Sequence, residues 1–226
     1  MALLPPGLKS ILFATAFTLA GCGGAIDAWT APSGAEVAVE GLGNRPGEFA
    51  SELPISVYAV RPAEETHWSS DRTIEELARG DFESARFLHV QLIWEPIAGK
   101  TSIARTATNV VLRLVIVSGD EVGVYAGAGF AWPWGDPGDD GRTLVITGSS
   151  LSLIARTKGF VDLLSPAEIT GTVVSRHDPD GTVRWRRAVS QIVTNRLKEA
   201  QWVDGSGQPL DRATATALLD EKPGSA

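Results

Sequence analysis

Through the middle of the chain, apolar and polar residues alternate at the spacing of two that a half-buried strand requires. Residues 55–60 place Ile55, Val57 and Ala59 on one side and stop at Arg61-Pro62, because proline has no N–H to give a sheet ladder. Residues 87–94 set Leu88, Val90, Leu92 and Trp94 on one face and Phe87, His89, Gln91 and Ile93 on the other. Residues 109–117 are a β-branched run with Arg113 as the only charge, which suits a strand inside a sheet with Arg113 at a less covered position. Ser118-Gly119-Asp120 makes a turn, and residues 121–130 are expected to return antiparallel as a hairpin. Residues 142–147 and 150–155 flank Gly148, either as a hairpin or as one strand bent by a bulge. Residues 169–175 and 182–186 flank Asp178-Pro179-Asp180-Gly181, read as a turn that would set Val174 opposite Trp185.

Two stretches change period. Residues 73–79 have Asp71 or Thr73 as N-cap, Glu75 and Glu76 in the first turn and Gly80 as terminator, the signals of a short helix. Residues 188–198 space Val189, Ile192, Val193 and Leu197 as a second, amphipathic helix does. About eight strands, turns rich in glycine and proline, and one or two short helices predict a mainly β domain. The expected architecture is an antiparallel β-sandwich, immunoglobulin-like or related.

The flanks read differently. Residues 23–50 are rich in glycine, alanine and proline, the composition of a tether whose span would be about 30 Å. Ala35-Glu36-Val37-Ala38-Val39 alternates and offers a first strand as the other reading. Residues 205–226 have the composition of a loose tail, leaving 51–204 as a single β-rich domain. At the start, Lys9 precedes an apolar stretch over residues 11–19, followed by small residues. That order is the pattern of a signal peptide, and the stretch is half of the roughly twenty residues a membrane-crossing helix needs.

Leu19-Ala20-Gly21-Cys22 closes that stretch and resembles the bacterial lipobox. The resemblance implies removal of residues 1–21 and a mature N-terminus at Cys22 bearing diacylglycerol on its sulfur. Two or more acyl chains hold a protein stably to a bilayer, at about 0.8 kcal/mol per buried methylene. Gly23 stands where the aspartate that retains enterobacterial lipoproteins in the inner membrane would be, so the resemblance favours an outer membrane where the source has two.

Composition narrows the chemistry. Cys22 is the only cysteine, so disulfides, thiolate catalysis and cysteine-based zinc sites are excluded from the folded domain. The formal charge of −7 argues against general nucleic-acid binding. His67, His89 and His177 are read as a loop, a strand and a turn-flanking residue, and no Gly-x-Ser-x-Gly, phosphate loop, dinucleotide fingerprint or His-Glu-x-x-His is present. No catalytic residue and no cofactor is expected. Asp136, Asp139 and Asp140 form the best cation candidate, although a solvated loop explains them as well. Just before them, Trp132 and Trp134 flank Pro133; one reading puts at least one ring at an exposed loop tip, able to stack on a sugar or anchor a partner, and the other has both rings cap one end of the sandwich core. Arg176, Arg184, Arg186, Arg187, Arg196 and Lys198 cluster in an acidic chain, with Arg184 and Arg186 sharing a strand face that could meet anionic headgroups or an acidic partner.

These readings describe an exported, lipid-anchored envelope protein with a non-enzymatic binding or scaffolding domain. Its expected partners are membrane lipid through acylated Cys22 and an envelope protein or cell-wall polymer. A carbohydrate-binding module using Trp132 and Trp134, and an enzyme with an unfamiliar site, are the rival expectations.

Overall fold

The computed structural model describes residues 33–42, 48–62, 64–80, 82–99 and 107–200, so the segment read as a signal peptide, Cys22 and the stretch 205–226 read as a tail lie outside the described residues. In chain order the elements are β1 (Gly34–Gly41), β2 (Glu48–Leu53), β3 (Ile55–Arg61), β4 (Glu64–Ser70), α1 (Ile74–Arg79), β5 (Ser84–Leu92), β6 (Val110–Ser118), β7 (Glu121–Trp134), β8 (Gly141–Arg156), β9 (Ala167–His177) and α2 (Pro179–Leu197). The mainly β, antiparallel character and the two helices are as the sequence predicts.

The strands belong to one sheet. From β3 to β9 each strand pairs antiparallel with the next. The circuit closes where β9 meets β3 in a short parallel seam, Val57 beside Arg176 and Tyr58 beside His177. β1 continues the sheet from the same edge of β9 and carries β2 outside it. Apolar packing therefore covers both faces. The inner face is filled by Leu88, Val90, Leu112, Leu114, Tyr125, Leu144, Leu151, Ile169 and Val173, together with Val37 and Val39 of β1. The outer face, around Val57, Trp68, Phe87, Val115 and Val124, is roofed by Leu77 of α1 and by Trp185, Val189 and Val193 of α2. Burying each of these large side chains contributes about 1.5–3 kcal/mol.

Local rules explain most boundaries. Thr73 accepts from the Glu76 N–H while the Glu76 carboxylate accepts from the Thr73 N–H, a complete capping box, and Gly80 ends α1 at φ 69°. The expected β6–β7 hairpin forms, with Gly119 and Asp120 at the turn and Ser118 opposite Glu121 as the last pair of the ladder. Around Gly148 the bulge reading holds: β8 is one strand whose register shifts between Ile146 and Ser149, with Gly148 at φ 129°.

Three expectations are corrected. Residues 182–186 are helical: α2 starts at Pro179, with Asp178 accepting from the Gly181 N–H, so the Asp-Pro-Asp-Gly segment is a helix start rather than a hairpin turn. Trp185 therefore faces Phe87, at 6.2 Å between ring centres, and not Val174. The domain also begins before residue 51, since β1 and β2 occupy part of the stretch read as tether, and the strand reading of residues 35–39 is the one observed.

Candidate functional site

β7 runs on to Trp134, past a proline that its sequence context marks as a break. The reason is an open edge. β6 stops pairing at Gly129, opposite Val110, so beyond that point β8 is the only strand beside β7 among the described residues, and the missing Pro133 N–H breaks no ladder bond with β6. Asn109 eases the departure: its side-chain amide donates to the Ala131 carbonyl and accepts from the Ala131 N–H, both at 2.8 Å, in place of the next ladder step.

Alternation then sends Phe130, Trp132 and Trp134 to the outer face, because Ala131 between them packs inward. Trp94, from the connection after β5, joins them edge-on, 6.1 Å from Phe130, which in turn lies 5.3 Å from Trp132. Burial grades along this strip. Phe130 is 4% exposed, Trp94 40% and Trp134 66%, with Trp132 half-buried between. Both sequence expectations for the tryptophans are thus met in part: one ring covers the sheet and the other stands in solvent.

The connection that follows, residues 135–140, is held from below. Arg142 donates from Nη1 to the Gly135 carbonyl, Tyr58 donates its hydroxyl to the Asp139 carbonyl, and the His177 N–H donates to the Asp140 carbonyl at 2.9 Å. Asp139 spends its carboxylate on the Asp136 N–H at 2.9 Å, the bond of a polar turn. Among the described residues no group of three or more histidine, cysteine or acidic side chains is placed to hold a metal ion; Asp136 and Asp139 bond one another across the turn.

Beneath the connection lies a network that the spacing of residues did not announce. Arg142 is 1% exposed and donates from Nε to both Glu65 oxygens, at 2.9 and 3.2 Å. Glu65 also bonds His67 Nε2 at 2.8 Å, and His67 Nδ1 meets Ser175 Oγ at 2.8 Å, which continues to Ser56 and Ser69. His67 is fully buried in β4, stacked on Tyr58, which corrects its reading as a solvent-facing loop residue. Burial drives the His67 pKa down against the pull of Glu65, so the ring is neutral. Burial opposes ionisation of Glu65 too, but the hydrogen bonds from His67 and Arg142 outweigh it and hold the carboxyl below its usual range.

Glu65, His67 and Ser175 have the order of an acid, a base and a hydroxyl. Ser175 is only 1% exposed: with the His67 Nε2–H given to Glu65, its hydroxyl donates to Nδ1 and its oxygen accepts from Ser56, so the group is closed off from solvent. The network is a brace for the connection above it. His89, on the outer face, is buried, bonds Thr66 at 2.8 Å and lies 4.4 Å from the Trp68 ring, as a hydrogen-bonded strand histidine should. Burial, with Arg113 and Arg186 nearby, lowers its pKa to about 3. His177 ends β9, half-buried against Tyr58.

The arginine cluster is divided by its helix. Arg184, Arg187 and Arg196 line a groove between α1 and α2, Arg186 turns toward His89 and Arg113, Arg176 is exposed on β9, and Lys198 caps α2 at φ 62°. No helix among the described residues is long and apolar enough to cross a membrane. No protein-family model matches the chain, and neither the curated proteins nor the solved structures contain a match to it.

Proposed function

We propose that this chain is a lipid-anchored envelope protein that binds another envelope component through the aromatic strip ending at Trp134, without catalysing a reaction. One observation carries the reading: Trp134 is 66% exposed, yet the connection it leads into is pinned from below by the buried Arg142. A large apolar ring offered to solvent on a fixed backbone loses little entropy on contact, which is what an interface anchor requires. The lipobox at Cys22 supplies the membrane reading.

The sheet register supports the pairing of these two features. Trp134 lies opposite Thr143, Thr143 opposite Val174, and Val174 opposite Gly34, three strand spacings or about 14 Å in all. Cys22 precedes Ser33 by eleven residues, a length of chain that reaches at most about 40 Å. The strip stands at the end of the domain where β1 begins, which supports a membrane anchor at Cys22 as its neighbour.

Affinity purification from detergent-solubilised membranes tests the reading. The unaltered chain should retain a defined component that Trp134→Ala loses, while the Trp134→Ala protein melts at the same temperature. Equal recovery by both proteins, or recovery of nothing by either, contradicts it. A second reading, stacking on a cell-wall glycan, is favoured by the exposed Asp136 and Asp140 in the connection that follows Trp134, since acidic side chains accept from sugar hydroxyls. Tryptophan fluorescence unchanged across a panel of peptidoglycan fragments and envelope polysaccharides would dismiss it.

A further inference from the structure

On the far side of the domain, α1 and α2 enclose an open groove of ≈ 630 Å³. Its floor is apolar, formed by Ile74, Leu77, Phe82, Ala188 and Ile192. Arg79, Arg184, Arg187 and Arg196 stand around it with one acid, Asp120. Arg184 also has the Asp178 carboxylate at 3.8 Å, so four guanidiniums stand against two carboxylates, which in a chain of formal charge −7 still makes this a place of opposite sign to the molecule as a whole. Arg196 is fixed rather than swinging: it donates to the Gly119 carbonyl at 3.0 Å and covers the Phe82 ring at 5.6 Å.

We infer that this groove is a docking site for an acidic amphipathic helix of a partner protein. The walls decide the form of the occupant. Both are helices, whose backbone groups are bonded within themselves, so the groove offers no strand edge to an extended peptide; an occupant must satisfy its own backbone, as a helix does. The lining residues of α2 run from Arg184 to Arg196, about 18 Å along the axis, or roughly three turns of a third helix. A small amphiphile would be left half-exposed in a groove open along one side, whereas small-ligand sites bury most of their ligand.

Position favours a protein over a bilayer as well. Arg196 bonds the β6–β7 turn at Gly119, and Trp134 lies at the opposite end of β7, on the order of 45 Å away along the strand. If the strip end faces the membrane, the groove faces away from it. The charge of the rim selects acids on the flanks of the docked helix, and the floor selects leucine-like residues at positions i, i+3, i+4 and i+7 of its buried stripe.

The test uses the full chain carrying Cys22→Ser and a fluorescent fourteen-residue helical peptide with leucine on that stripe and glutamate flanking it. Anisotropy should show saturable binding that weakens as salt is raised, and the same peptide with lysine for glutamate should not bind. Arg79→Glu with Arg184→Glu, both exposed positions, should weaken binding at least tenfold while the far-ultraviolet circular dichroism and melting temperature stay unchanged. Failure of the glutamate peptide to bind overturns the inference, as does binding that ignores the paired substitution. Two further arms are decisive. Dodecyl phosphate binding in place of the peptide would reassign the groove to lipid. A chain ending at residue 200 that binds the peptide at least tenfold more tightly would show that residues 201–226 occupy the groove, which also overturns it.

Discussion

Arg142 keeps its guanidinium inside the sheet, where, among the described residues, Glu65, Glu95 and the Gly135 carbonyl receive its protons. A buried ion pair is weak as a source of stability but severe when halved, because the remaining charge has no water to turn to. Arg142→Met should therefore destabilise the fold by about 3–5 kcal/mol, read from urea denaturation. Adding Glu65→Gln should recover a large part of that loss, since the stranded carboxylate is then gone. Equal losses for the single and the double variant would contradict the account of this pair.

The buried histidines set the response to acid. His89, with its pKa lowered to about 3 against an ordinary 6.5, refuses protons that the unfolded chain accepts, and His67 is lowered as well. Between about pH 6.5 and about pH 3 the unfolded state thus binds more protons than the folded one, so stability falls as the pH falls through that window. Glu65, held below its usual range, adds to the loss at the acid end of the same window. The slope from His89 should be about 1.4 kcal/mol per pH unit within that window, and His89→Gln should remove it. A stability flat from pH 7 to pH 4 would contradict the neutral, buried assignment.

Among the elements, those with local causes were legible in the chain and those with distant causes were not. The β6–β7 hairpin and α1 carry their turn and cap residues within a few positions, and both form as the sequence predicts. α2 exposes an ambiguity of short signals. Asp-Pro-Asp-Gly suits a hairpin turn, yet aspartate followed by proline is equally an N-cap and first helical residue, and the burial of Trp185, Val189 and Val193 on one stripe favours the helix. Asp178→Ala should accordingly cost about 1 kcal/mol by removing the cap, whereas a loss of helical circular dichroism with no loss of stability would contradict it. The run of β7 through Pro133 depends on where β6 ends, which no pattern inside residues 121–134 can reveal. The same holds for the site. Trp132 and Trp134 stand out from their immediate neighbours, but Arg142 and Glu65 are 77 positions apart and meet only because β8 and β4 lie across one interior.

Taken as a whole, the molecule has two ends of opposite character. One end carries the exposed Trp134, the pinned connection of residues 135–140 and the point where the chain leads back toward Cys22. The other carries the β6–β7 turn and the arginine-rimmed groove between the helices. The fold holds them apart as one continuous sheet, so a contact at either end leaves the other accessible. Because Trp134 is so exposed, Trp134→Ala should change stability by less than about 0.5 kcal/mol, which makes it a probe of binding alone. The most direct measurement is site-specific photo-crosslinking in intact envelopes, with a benzophenone side chain at position 134 and, as a control between the two ends, at the exposed Glu168 of β9. The account predicts a discrete protein adduct in the membrane fraction from position 134 and none from position 168. Adducts of equal yield from both positions, or no adduct from position 134, would contradict it.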